Sequence, residues 1–85
     1  MPEIRYWSDE AARQGLMAQG RALLAGLRSE LGSSGVVAIE PQSGEWFVGA
    51  TLGQANAAAY DKYPDRWVYF CRLDDSSAEI VLPTW

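Results

Sequence analysis

The stretch Gly35-Val36-Val37-Ala38-Ile39-Glu40-Pro41-Gln42-Ser43-Gly44-Glu45-Trp46-Phe47-Val48-Gly49 decides the fold. Val36 to Glu40 is apolar at successive positions, so both faces of an extended segment there are apolar, which predicts a central strand. Pro41-Gln42-Ser43-Gly44 reads as a hairpin turn, opened by the fixed φ of Pro41 and closed by Gly44 at positive φ. Glu45 to Gly49 is then a second strand. Glu45, Phe47 and Gly49 point one way and Trp46 and Val48 the other.

Working outward toward the C-terminus, Thr51 is placed to cap a helix, with Gln54 three residues on as in a capping box. Leu52, Ala55, Ala59 and Tyr63 recur at helical spacing, and Pro64-Asp65 forces an exit. A third strand follows from Trp67 to Leu73, with Trp67, Tyr69, Cys71 and Leu73 on one face and Val68, Phe70 and Arg72 on the other. Asp74-Asp75-Ser76-Ser77 reads as a polar turn, and Glu79 to Leu82 as a short edge strand ended by Pro83.

Working outward toward the N-terminus, residues 1–8 form a lead and 9–31 a helix, with Ser8 and Asp9 as candidate caps. The Gly32-Ser33-Ser34-Gly35 run stops it. Leu16, Gly20, Leu23, Leu24, Leu27 and Leu31 form a core-facing stripe. The opposite face carries Ala11, Gly15, Ala18, Ala22, Ala25, Gly26 and Ser29. Alanine alone is simply the best helix former, but each Gly costs roughly 1 kcal/mol relative to Ala. Gly15 and Gly26 weaken that reading and leave open a back where another backbone approaches closely.

The chain thus reads as one α+β domain over residues 1–85: a lead, a helix, a β-β-α-β core over 35–73, then a turn, edge strand and tail over 74–85. The expected architecture has two layers, a mainly antiparallel small sheet with the helices packed on one face. Two strand orders stay open, 2-1-3-4 with every neighbour antiparallel, or the third strand directly beside the second. In either case the other sheet face is left open, showing some of Trp46, Val48, Trp67, Tyr69 and Leu73, or Phe47 with Phe70, depending on register.

Composition narrows the function classes. The 85 residues carry a formal net charge of −4, with seven basic and eleven acidic side chains. Residues 1–31 balance four Arg against four acids, so the deficit lies wholly in residues 32–85. Such a chain is poorly suited to gripping a phosphate backbone. The loose stripe of Arg13, Arg21 and Arg28, interrupted by Glu10 and Glu30, reads better as a salt-bridging rim than as a nucleic-acid footprint. The first residues carry Glu3, Asp9 and Glu10 and lack an apolar signal core, and no apolar run approaches membrane-spanning length. The expected location is the cytoplasm.

The absence of histidine removes the usual nucleophile pairs and the commonest metal ligand. Cys71, the single cysteine, sits in an apolar strand as a small core residue. Glu40 and Glu45 flank the hairpin turn and are expected to be solvated there, although paired carboxylates held close would suit acid/base work. Asp74, Asp75 and Glu79 lack the ordered spacing of a calcium loop. Gly49-Ala50-Thr51-Leu52-Gly53 lacks the pattern of a phosphate loop. No cofactor and no metal are expected.

From Gly35 to Arg72 the chain resembles a family of small, uncharacterised bacterial proteins. The resemblance lies in Val37-Ala38-Ile39-Glu40-Pro41, Ser43-Gly44, Phe47, Gly49, Thr51-Leu52, then Ala55, Ala59 and Tyr63-Pro64-Asp65-Arg66, and an aromatic strand ending in Arg72. It covers about half of the chain and implies a small cytoplasmic α+β fold with no activity to carry over. Its motifs are structural: turn, cap and helix stop. The N-terminal helix and the tail ending in Trp85 fall outside it, and Leu73 running into Asp74-Asp75 departs from it.

Two functional classes follow. The first is a non-enzymatic protein-interaction module, an accessory or regulatory subunit that binds a larger protein or a second copy of itself. Its candidate contact residues are Trp7, Gly15, Ala18, Ala22, Gly26, Trp46, Trp67, Tyr69 and Trp85, since aromatic anchors and small-residue strips suit interfaces. The second is a small-ligand-binding or enzymatic domain using Glu40, Glu45, Tyr69 and Arg72 around a shallow pocket. Neither class involves nucleic acid or a membrane.

Overall fold

A computed structural model describes residues 10–84. Its elements are α1 (Glu10–Leu27), β1 (Val36–Ile39), β2 (Trp46–Gly49), α2 (Leu52–Lys62), β3 (Trp67–Arg72) and β4 (Asp75–Pro83). The strands form one sheet in the order β2-β1-β3-β4 with every neighbour antiparallel. This is the first of the two orders left open by the sequence. The α+β class and the mainly antiparallel sheet are as expected.

The hairpin joining β1 to β2 forms as its residues require. Gly44 sits at φ 76, in the region that a side chain disfavours. Its N–H donates to the Glu40 carbonyl at 2.8 Å, and the Glu40 N–H donates to the Glu45 carbonyl at 2.9 Å. On the other side of β1, the Leu73 N–H donates to the Gly35 carbonyl at 2.9 Å. These bonds fix the phase of the ladders. Even-numbered residues of β1 turn their backbone groups toward β2, and odd-numbered ones toward β3.

The helices pack on opposite faces of the sheet, not on one. Val37 and Ile39 join Tyr69, Cys71, Leu73, Val81 and Leu24 in one buried cluster, flanked by Leu16, Met17, Leu23, Leu27 and Leu31 from α1 and the turn after it. Val36 and Ala38 join Val68, Phe70, Ala55 and Ala59 in the other, beneath α2. Alternation along β1 sends these two sets to opposite sides. The molecule is therefore helix, sheet and helix over its centre. The reason is the two-sided apolar surface of β1, which a single helical layer leaves half exposed.

Coverage is offset. Helix α1 packs on β1, β3 and β4, whereas α2 packs mainly on β2 and β1. Helix α2 is capped as the sequence specifies: the Gln54 N–H donates to Thr51 Oγ1 at 3.2 Å, and Gln54 Oε1 accepts from the Ala50 N–H at 2.8 Å. Helix α1 ends at Leu27 rather than Leu31. The N–H groups of Glu30 and Leu31 both return to the Leu27 carbonyl, at 2.8 and 3.2 Å, a tightened final turn that still lays Leu31 on the core.

The last strand is also longer than the sequence suggested. It begins at Asp75, inside the expected polar turn, and runs to Pro83. Pairing passes from Arg72↔Asp75 to Cys71↔Glu79, so residues 76–78 form a bulge out of register with β3. Asp75 steadies the bulge by accepting from the Ser77 N–H at 3.1 Å and hydroxyl at 2.6 Å. Pro83 is tolerated because even-numbered β4 residues face β3, which leaves its missing N–H on the outer side. Thr84 then donates its hydroxyl to the Tyr63 carbonyl at 2.6 Å and its N–H to the Arg66 carbonyl at 2.9 Å, tying the strand to the α2–β3 connection.

Gly20 lets α1 lie directly on the sheet: a Cβ there would fall 2.2 Å from Tyr69 Cγ, whereas one at Gly15 would meet nothing within 4 Å. Gly20→Ala is expected to destabilise the fold by about 1–3 kcal/mol through overpacking. Gly15→Ala is expected to stabilise it by up to about 1 kcal/mol through helix propensity. Urea denaturation of the two variants beside the parent chain checks the opposed signs.

Candidate interaction surface

The residues expected to make contacts separate into distinct settings. Trp7 and Trp85 lie outside the described residues. Gly15, Ala18, Ala22 and Gly26 are all exposed along the back of α1, and nothing described lies within 4 Å of a Cβ placed at Gly15 or Gly26. Trp67 is half-buried against the α1 cluster. Tyr69 is 1% exposed. It is a core residue, because α1 covers the face on which an open aromatic surface was expected.

Tyr69 also anchors a polar link between α1 and the sheet. Its hydroxyl donates to Glu79 Oε1 at 2.8 Å. The Arg21 guanidinium of α1 grips the same carboxylate, with contacts of 2.8, 3.0 and 2.7 Å. Arg21 holds the Glu79 carboxyl below the usual range, and burial pushes the Tyr69 hydroxyl well above its own. A depressed carboxyl pKa stabilises the fold above its unfolded value, about 4.3, and that contribution disappears as pH falls through the folded value. Glu79→Gln should therefore lower stability at pH 7 and narrow its deficit at pH 2, which paired urea titrations measure.

The four residues of the enzymatic reading do not converge. Glu40 is 1% exposed, buried rather than solvated. Its carboxylate accepts from the N–H groups of Gln42 and Ser43, both at 2.9 Å, and so builds the turn it precedes. Glu45 instead meets Lys62 at 2.6 Å and the Tyr63 hydroxyl at 2.7 Å, bonds that hold its carboxyl below the usual range. Arg72 pairs with Asp74 at 2.9 Å and lies across from Val36. That is four positions along β1 from Glu40, about 13 Å at strand rise. Glu40→Gln presents an amide N–H₂ to backbone donors, and a loss of about 1–3 kcal/mol is expected on denaturation for one unmet bond.

Several of the other charged groups are likewise engaged in structure. Arg28 reaches the Leu73 carbonyl at 3.5 Å, and Arg66 bonds to Gln42 across the two turns. Asp74, Asp75 and Glu79 are tied to Arg72, Ser77 and Arg21 respectively. Among the described residues, no group of three acids or thiols gathers where it could hold a metal ion. Cys71 is buried and forms no disulfide. No described helix is long and apolar enough to cross a membrane.

Exposed apolar surface concentrates where the offset helices leave the sheet bare. On the α1 side of β2, Trp46 is 37% and Val48 47% exposed. They lie across from Ile39 and Val37, but α1 makes no contact with β2. Phe47, on the opposite side, is shielded by α2 and meets Tyr63 edge-on at 6.4 Å. On the α2 side of β3 and β4 there is a cleft of about 500 Å³ lined by Val36, Leu52, Phe70, Ala78, Ile80 and Arg72, among others. The sequence places Val48 with Trp46 on one sheet face and Leu52 on the core side of its helix; Leu52 is instead 41% exposed, and nothing local marks Ile80 as a surface residue. The alternation of Trp46 with Val48 carried a signal for Val48, whereas Leu52 and Ile80 meet only through the fold.

No family model, curated protein or solved structure matches the chain.

Proposed function

We propose that the protein is a non-enzymatic interaction module of the cytoplasm, an accessory subunit that binds another polypeptide through the bare side of β2. The observation that carries this reading is the adjacent exposed pair Trp46 and Val48 on a strand at the edge of the sheet. Tryptophan is among the side chains that most often anchor interfaces, and backbone groups on an open edge add a directional component. The charged residues considered for chemistry support the same reading, because Glu40, Glu45, Arg72 and Glu79 each hold a structural bond.

The cleft beside α2 favours a second reading, binding of a small apolar ligand. Its volume, about 500 Å³, is in the range of ligand sites. Its one basic group, Arg72, is already paired with Asp74, so few polar groups remain to orient a ligand.

Capture from extracts of the source cells, with the intact chain and with Trp46→Ala as bait, separates the readings. Retention of one stoichiometric protein by the parent and its loss by at least tenfold with Trp46→Ala is the expected result. Equal capture by both baits removes the role given to β2. A metabolite carried through native mass spectrometry and displaced by Ile80→Trp would install the second reading instead.

A further inference from the structure

We propose that the partner seated on β2 is a second copy of the same chain, paired strand to strand about a two-fold axis through Phe47. This deepens the interaction-module reading and rests on it. The phase of the β1–β2 ladder decides which atoms are available. Glu45, Phe47 and Gly49 turn their backbone groups toward β1, as the bond from the Glu40 N–H to the Glu45 carbonyl fixes. The N–H and C=O groups of Trp46 and Val48 therefore point outward, and no described strand pairs with that edge.

Only one antiparallel self-pairing uses all four of these groups. Trp46 must lie opposite Val48 of the second copy, Val48 opposite its Trp46, and Phe47 opposite Phe47. Each Trp46–Val48 pair then exchanges two hydrogen bonds, giving four across the axis by antiparallel geometry. A shift placing Val48 opposite Val48 would bring Trp46 against Ala50, whose N–H is already held by Gln54 Oε1 at 2.8 Å. In the preferred register the sheet continues through both copies. Each exposed Trp46 side chain comes to lie against Val48 of the other on the same face, and the two exposed pairs close into one apolar quartet.

Charge permits this approach despite the net −4 of each copy. Trp46 to Gly49 carries no ionisable side chain, and Glu45 is already neutralised by Lys62 at 2.6 Å. Glu45 would lie opposite Gly49 of the other copy, at the ends of the paired segment and far from its own equivalent. The other sheet edge carries the devices that block strand addition. Pro83 offers no outward N–H, and residues 76–78 bulge out of register. With one edge open and one closed, the pairing is isologous and stops at two copies. Two strands of four residues cover on the order of a few hundred Å² per partner, well below the about 800 Å² of a standard interface. The dimer is accordingly weak.

Sedimentation equilibrium on the intact chain from about 10 μM to about 1 mM, a range suited to weak association, is the test. A monomer–dimer equilibrium is expected, with the Trp46 and Val48 amides gaining exchange protection as concentration rises while the Phe47 amide, already bonded to β1, does not change. Val48→Lys places a charge on the edge, and Val48→Pro removes one outward donor without touching the β1 ladder. Each should weaken dimerisation at least tenfold while circular dichroism remains that of the parent. If Val48→Pro fails to fold, Val48→Lys and the amide pattern decide. A parent chain that stays monomeric at about 1 mM overturns the proposal, as does a dimer indifferent to a folded Val48 variant. Loss of a foreign protein by Trp46→Ala alongside such a monomer would overturn self-pairing alone and leave the interaction-module reading standing.

Discussion

Burial of β1 on both faces is the constraint from which the rest of the structure follows. Its four residues are all buried, and alternation divides them between two clusters. Each cluster requires its own helix. In a chain this short neither helix spans the sheet, so each one also determines which strip of sheet it leaves bare. Helix α1 leaves β2 uncovered on its side, and α2 leaves β4 uncovered on the other. The exposed pair on β2 and the cleft beside α2 are thus two consequences of one packing arrangement.

Close approach on each face depends on small residues. Gly20 rests against the Tyr69 ring, and Ala55 and Ala59 are fully buried on the α2 side. With backbones so near the sheet, little volume remains for a polar cavity inside the fold. The ionisable groups are correspondingly used as fasteners. Arg21 and Tyr69 clamp Glu79 between α1 and β4, Lys62 and Tyr63 clamp Glu45 between α2 and the hairpin, and Glu40 organises the turn. Such arrangements make a rigid platform whose recognition features lie on its outside.

The two sheet edges illustrate how position turns similar strands to different ends. Strand β4 is longer, yet its outward side includes a proline and a bulge. Strand β2 is short, apolar and regular, which is what strand addition needs and what solitary edges usually avoid.

Much of this was legible in sequence because it is local. The Pro41–Gly44 turn, the Thr51 cap with Gln54, the stop at Pro64 and the α1 leucine stripe are each set by residues within a few positions of one another. The same holds for the alternating faces of β2 and β3, and the uniformly apolar β1 placed it at the centre of the sheet. That uniform apolarity also implied cover on both sides, the inference that the expectation of helices on one face failed to draw. What the tertiary structure alone decided is long-range. It set which face each helix takes, the burial of Tyr69 beneath α1, the meeting of Arg21 with Glu79 58 residues away and the closure of one sheet edge against the other. These depend on chain reversals that bring distant residues together, and local periodicity fixes the direction of a side chain but not what arrives to cover it.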